Sequence, residues 1–155
     1  MIQQGKPAPA FSIKDQSEKE TSLSQYKGKW VVFYFYPKDN TPGCTIEGIE
    51  FTARKKDFEK LNTVILGVSP DSPSSHCGFI DKQKLGIILL SDPERKVMKS
   101  YDAWGKKMMY GKEVEGVIRS TVLIDPQGNI AHHWPKVKAE GHAAEVLEKI
   151  KELNR

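Results

Sequence analysis

The sequence predicts an α/β fold with a central mixed sheet flanked by helices, and three observations carry that expectation. Trp30-Val31-Val32-Phe33-Tyr34-Phe35-Tyr36 is β-branched and aromatic without polar alternation, as in a central strand buried on both faces. A second such run, Thr63-Val64-Ile65-Leu66-Gly67-Val68, follows a helical segment, and strand, helix, strand with short connections makes a right-handed parallel unit. Asp125-Pro126-Gln127-Gly128 then reads as a turn joining two further apolar runs into an antiparallel pair.

In chain order, Gly5-Lys6-Pro7-Ala8-Pro9 is turn-like, and Phe11-Ser12-Ile13 is a short strand candidate. Pro37 ends the central strand. Thr41 suits a helix N-cap, Pro42 the first helical position, and Gly43 and Cys44 the first turn. Ile46, Ile49, Ala53, Phe58 and Leu61 keep a helical stripe to about Lys60, where Asn62 breaks it. After the loop 69–73, Ser74 or Ser75 can cap a helix to about Lys84. Ser91-Asp92-Pro93-Glu94 opens another to about Tyr101. Residues 102–116, rich in Gly and Lys, look like an exposed excursion. Strands at 117–124 and 129–134 form the hairpin, and a last helix carries Val146, Leu147, Ile150 and Leu153 on one side. This is the element order of a thioredoxin-like fold with an N-terminal extension and a helical insertion before the second helix.

With 155 residues, 38% hydrophobic and 28% charged, the whole chain 1–155 is expected to form a single globular domain. Its longest dense apolar run falls far short of the ~20 residues a spanning helix needs. The N-terminal residues carry no signal-peptide pattern, so a cytoplasmic location is expected. The net charge of +4 comes from scattered lysines interleaved with acids, which reads as a solvated face rather than a nucleic-acid footprint. Two cysteines are too few for a disulfide scaffold, and in a reducing compartment a bond between Cys44 and Cys77 would be transient and catalytic.

Chemistry therefore centres on Cys44. First-turn N–H groups lack intrahelical partners, and the helix macrodipole adds partial positive charge there, both favouring a thiolate. A lone cysteine at a helix start is often only a small buried residue. A threonine three residues earlier changes the weighing, because its hydroxyl reaches the same substrate position.

Pro37-Lys38-Asp39-Asn40-Thr41-Pro42-Gly43-Cys44-Thr45 resembles the peroxiredoxin motif Pro-x-x-x-(Thr/Ser)-x-x-Cys, in the form found in the bacterioferritin comigratory protein, or peroxiredoxin Q, subfamily. Residues 67–71, 89–92, 109–112 and 119–125 support the likeness along the chain. The resemblance implies a thiol-dependent peroxidase that reduces hydrogen peroxide and organic hydroperoxides to water and alcohols through a cysteine sulfenic acid. Cys44 would be the nucleophile, Thr41 would hydrogen-bond the peroxide and the sulfur, and Pro37 would shield the thiol from water. Arg119 matches the family's active-site arginine, and Glu47, one turn beyond Cys44, would orient it. No metal, flavin or haem is expected, since sulfur itself changes oxidation state. A thioredoxin or similar thiol would be the reductant, and the chain would be a monomer.

A sulfenic acid is resolved by a second thiol. Many relatives carry it five residues after the nucleophile, where this chain has Ile49. Others carry it on the helix after the second strand, near Ile80 here. Cys77 lies one turn earlier on the same face and is the expected resolving residue. The alternatives are a buried structural thiol or resolution by an external thiol. His76, His132, His133 and His142 do not follow zinc-ligand spacing, so no metal site is expected. Two rivals use the same fold: a thiol–disulfide oxidoreductase, opposed by the absence of Cys-x-x-Cys, and a non-enzymatic peroxide-sensing or partner-binding domain.

Overall fold

The computed structural model describes residues 2–154. Its elements are β1 (Ser12–Asp15), β2 (Glu20–Ser22), a 3-10 turn (Leu23–Tyr26), β3 (Trp30–Phe35), α1 (Pro42–Ala53), α2 (Lys55–Lys60), β4 (Thr63–Ser69), α3 (Pro73–Gln83), β5 (Ile88–Ser91), α4 (Lys96–Ser100), β6 (Trp104–Met109), β7 (Lys112–Val117), β8 (Ser120–Ile124), β9 (Ile130–Trp134) and α5 (His142–Leu153). Seven strands form one mixed sheet in the order β2-β1-β5-β4-β3-β8-β9. β3 pairs parallel with β4 and antiparallel with β8, so the expected parallel unit and the hairpin meet on the same central strand.

The period of two along β3 builds both halves of the core. Val31, Phe33 and Phe35 face one layer, with Phe11 stacked on Phe33 at 4.6 Å and Tyr101 edge-on. Val32, Tyr34 and Tyr36 face the other, where α1 and α5 pack and Cys44 is buried. Tyr34 stacks on Phe51 of α1 at 4.8 Å, fixing the helix on the sheet beneath it.

Several expectations are corrected. The helix after Pro42 is two helices, because Arg54 bonds back to the Phe51 carbonyl in a tight turn. α1 buries Cys44, Glu47, Gly48 and Phe51, whereas Ile46 and Ile49 are 41% and 43% exposed. The inward stripe contains a carboxylate, so a hydrophobic tally placed the buried face one position off. α3 begins at Pro73 with Ser72 as cap, its hydroxyl accepting from the Ser75 N–H at 3.1 Å, so neither Ser74 nor Ser75 caps it. α4 is confined to Lys96–Ser100, and the first strand runs Ser12–Asp15.

Residues 102–116 form the expected exposed excursion, with Tyr110 97% exposed, but an ordered one. β6 and β7 form a separate two-stranded ribbon, turned at Tyr110 and Gly111 with φ of 52° and 77°, the positive pair that a tight hairpin turn requires. The strand expected over 117–124 is interrupted at Ile118 and Arg119, leaving Arg119 outside both β7 and β8. β5, which lies inside the main sheet, and the edge strand β2 were not foreseen. Among the described residues no helix is long and apolar enough to cross a membrane.

Gly67 in β4 permits the closest approach in the core: a Cβ there would lie 2.8 Å from Tyr34 Cζ and 2.9 Å from Leu89 Cδ2. Gly67→Ala is therefore expected to destabilise the fold by about 1–3 kcal/mol through overpacking. Urea unfolding checks this, and an unchanged midpoint would show that the Tyr34 ring is free to move aside.

Candidate active site

Strand register assembles the site. In the antiparallel β3–β8 pair, Phe35 lies opposite Ser120, so the end of β3 meets the start of β8. The chain leaving β3 turns through Asn40, at φ 64°, into α1, while Arg119 sits immediately before β8. Both features converge on Cys44 at the third residue of α1.

The Arg119 guanidinium joins the two side chains that α1 turns inward. Its Nη2 donates to Cys44 Sγ at 3.3 Å and its Nη1 to Glu47 Oε1 at 2.6 Å. Cys44 is buried, and the Glu47 side chain is 0% exposed against 18% for Arg119. Glu47 Oε2 has no hydrogen-bond partner. Burial pushes the Glu47 carboxyl up to about 7, against the opposing pull of Arg119. Burial would lower the Arg119 value, but the Glu47 and Cys44 charges outweigh it and the guanidinium is raised. Gly43 makes the approach possible, because a Cβ there would stand 3.0 Å from Arg119 Nη2. A fixed cation beside the sulfur stabilises negative charge on it and on an oxygen bound next to it.

A cleft of about 590 Å³ reaches this guanidinium, lined by Pro37, Arg119, Val117, Ile118, Val137 and side chains of the β6–β7 ribbon. Thr41 occupies the N-cap position, but its hydroxyl makes no capping bond and donates instead to the Lys38 carbonyl at 2.7 Å. With its proton engaged there, Thr41 Oγ1 is left as an acceptor. The structure thus gathers Pro37, Thr41, Cys44, Glu47 and Arg119 around one end of the sheet.

Cys77 lies apart from that group. It is exposed on α3, which overturns the alternative of a buried structural thiol, and its Sγ donates to the Gln16 carbonyl at 3.0 Å. Gln16 follows β1 and Arg119 precedes β8, four strand positions apart in the sheet. Each sulfur thus has its own partner, Cys44 Sγ accepting from Arg119 and Cys77 Sγ donating to Gln16, and they are not bonded to each other. Both cysteines are free. His142 Nε2 lies 2.7 Å from Thr121 Oγ1, and His76 Nδ1 lies 2.8 Å from Asp39 Oδ2. Sequence reasoning weighed His76 only as a metal ligand and did not single out Asp39. The signal available was an acidic residue in the short loop between an apolar strand and a helix start.

Fold and site together define a thiol peroxidase of thioredoxin-like architecture. Residues 4–133 match the model of the AhpC/TSA family. Peroxiredoxin Bcp of Bacillus subtilis is 44% identical over 153 residues, covering 99% of this chain and 98% of that protein. The Bacterioferritin Comigratory Protein of Xanthomonas campestris, whose structures concern alkyl peroxide reduction, superposes with a TM-score of 0.91 at 39% identity, covering 99% of this chain and 100% of that one. A PrxQ mutant of Xylella fastidiosa superposes with a TM-score of 0.94 at 39% identity, over 100% of this chain and 99% of that one. The chain belongs to the AhpC/TSA family, among its peroxiredoxins.

The raised Glu47 carboxyl sets a pH dependence of stability. From the ordinary carboxyl range near ~4.3 up to about 7, the folded chain holds a proton that the unfolded chain has released. Stability from this group is full at the acid end and lost as pH rises through that window. Glu47→Gln removes the titration. Urea unfolding of both proteins from about pH 5 to about pH 8 is expected to show the wild type losing stability relative to the variant. Parallel pH profiles would show that Glu47 titrates normally.

Proposed function

We propose that Cys44 attacks hydrogen peroxide and organic hydroperoxides as the peroxidatic nucleophile, and that Cys77 resolves the product. The observation that carries this reading is the Arg119 guanidinium, held by Glu47 and bonded to Cys44 Sγ at 3.3 Å. The thiolate forms a bond to one peroxide oxygen, the O–O bond breaks, and the departing oxygen leaves as water or an alcohol after taking a proton. Arg119 stabilises the charge that shifts onto the oxygens, and Thr41 Oγ1 accepts a hydrogen bond from the peroxide. Pro37 closes the near wall of the cleft.

Sulfenic Cys44 and thiol Cys77 then condense, forming an S–S bond and releasing water. With Cys44 held in the first turn of α1 at Arg119 and Cys77 held in α3 at the Gln16 carbonyl, this step requires local unwinding of α1, of α3, or of both. α3 is suited to it: Gly78 stands in its interior with open space where a Cβ would be, and such a glycine weakens a helix by roughly 1 kcal/mol against Ala. A dithiol reductant of the thioredoxin kind returns the disulfide to two thiols. The same reading has residues 1–155 working as one domain, a monomer in the cytoplasm, where free thiols persist.

Cys44→Ser is expected to abolish peroxide reduction with the fold retained, since only the sulfur is lost. Cys77→Ser is expected to complete one rapid turnover and then stall as sulfenic acid or overoxidise, with thioredoxin as sole reductant. Peroxide consumption followed by mass spectrometry of the thiols checks both. Retained turnover in Cys44→Ser would overturn the peroxidatic assignment. Undiminished turnover in Cys77→Ser would assign resolution to an external thiol.

A further inference from the structure

A buried cluster that the peroxide chemistry does not use ties the two cysteine-bearing segments together. Asp39 lies in the loop leading from β3 to α1, and His76 immediately precedes Cys77 on α3. The Asp39 carboxylate accepts three hydrogen bonds: from Tyr36 Oη at 2.6 Å, Ser75 Oγ at 2.7 Å and His76 Nδ1 at 2.8 Å. The His76 and Asp39 side chains are 0% and 2% exposed. His76 Nε2 lies 2.9 Å from the Leu90 carbonyl, which can only accept. Each ring nitrogen therefore faces an oxygen, Asp39 Oδ2 at Nδ1 and the Leu90 carbonyl at Nε2. Burial would raise the Asp39 carboxyl, but the hydrogen bonds from His76 and Tyr36 outweigh it and hold it below its ordinary range. The loop backbone joins the same network, since the Asp39 N–H donates to Asp71 Oδ2 at 2.8 Å and Ser69 Oγ to the same oxygen at 2.7 Å.

We propose that the Asp39–His76 pair is a latch that holds the Cys44 loop against the first turn of α3 in the dithiol enzyme and must open for the Cys44–Cys77 disulfide to form. This rests on Cys77 being the resolving thiol. Ser75 and His76 belong to the turn that carries Cys77, so unwinding it to release Cys77 separates both from Asp39. The latch therefore exists in the dithiol state and is lost in the disulfide state. An interaction present in one state only shifts the equilibrium toward that state. The pair accordingly slows resolution and makes the disulfide easier to reduce. Asp39 and His76 are positioning residues: neither touches the reacting sulfur, and their effect falls on the second step of the cycle.

His76→Gln tests this, measured in rapid-mixing experiments on the full chain with hydrogen peroxide and in redox titration against a dithiol buffer. Sulfenic acid formation is expected to stay within about threefold of wild type, because Arg119 and Glu47 are untouched. Conversion of sulfenic acid to disulfide is expected to quicken about tenfold, overoxidation at high peroxide to fall, and the disulfide potential to become ~30 mV more negative, the equivalent of a tenfold shift for a two-electron couple. Tyr36→Phe, which removes one hydrogen bond to Asp39, is expected to move all three in the same direction by less, and decides the matter if His76→Gln does not fold. Resolution that is unchanged or slower, with an unchanged potential, overturns the latch. A wild-type enzyme that forms no Cys44–Cys77 disulfide overturns instead the assignment of Cys77 on which the latch rests.

Discussion

One buried carboxylate constrains the whole site. Glu47 points into the protein from the same face of α1 as Cys44 and Phe51, where an apolar residue would ordinarily pack. Taking a carboxylate out of water costs several kcal/mol unless a cation meets it with good geometry. Arg119 is that cation, at 2.6 Å. The pairing works in both directions. Glu47 removes freedom from a long side chain that would otherwise sample many rotamers, and the fork so fixed presents its second nitrogen to the Cys44 sulfur. Replacing the pair by apolar residues would relieve the burial cost, but it would also remove the only cation bonded to that sulfur among the described residues.

The fold supplies what the pair needs. β3 lies between β4 and β8, so its end is the meeting point of the helix start that carries Cys44 and the connection that carries Arg119. The opposite requirement applies to Cys77. Cys44 sits in a formed first turn bonded to Arg119, while Cys77, on a helix packed against the same face of the sheet, donates to the Gln16 carbonyl after β1. A dithiol exchange enzyme of similar architecture would keep its two sulfurs in one helix turn; here they lie on different helices, α1 and α3. The helix bearing Cys77 meets the Cys44 loop both through the bonds of Ser75 and His76 to Asp39 and through Phe79, whose ring centroid lies 6.2 Å from that of Tyr36.

Much of this was legible in the residues. The apolar strand at 30–36, the Thr41-Pro42 helix start and the turn at 125–128 use local chemistry that sequence periodicity reports directly. The motif and its echoes along the chain point to Cys44 and Arg119, which the structure brings within 3.3 Å of each other. The failures have physical causes. Ile46 and Ile49 were read as buried because hydrophobicity is the usual guide to the inner face, and α1 instead turns a carboxylate inward. The segment 102–116 is exposed, as its glycines and lysines imply, but they hide its pairing into a ribbon, for which Tyr110-Gly111 carried the turn signal. β5 is a run of only four residues, and its flanking Gly86 and Asp92-Pro93 read equally as the end of one helix and the start of the next. The Asp39–His76 contact joins positions 37 apart, and no local pattern encodes such a meeting.

The central claim is that Arg119, oriented by Glu47, accelerates attack of the Cys44 sulfur on peroxide. The most direct measurement is the second-order rate constant for sulfenic acid formation in Arg119→Met, followed by rapid mixing under single-turnover conditions and compared with Arg119→Lys. Loss of a preorganised charged donor is expected to slow the step by about 10²–10³-fold. Lysine, which keeps the charge but not the fork that reaches both Glu47 and Cys44, is expected to restore only a small part. A rate constant within twofold of wild type in Arg119→Met would contradict the account.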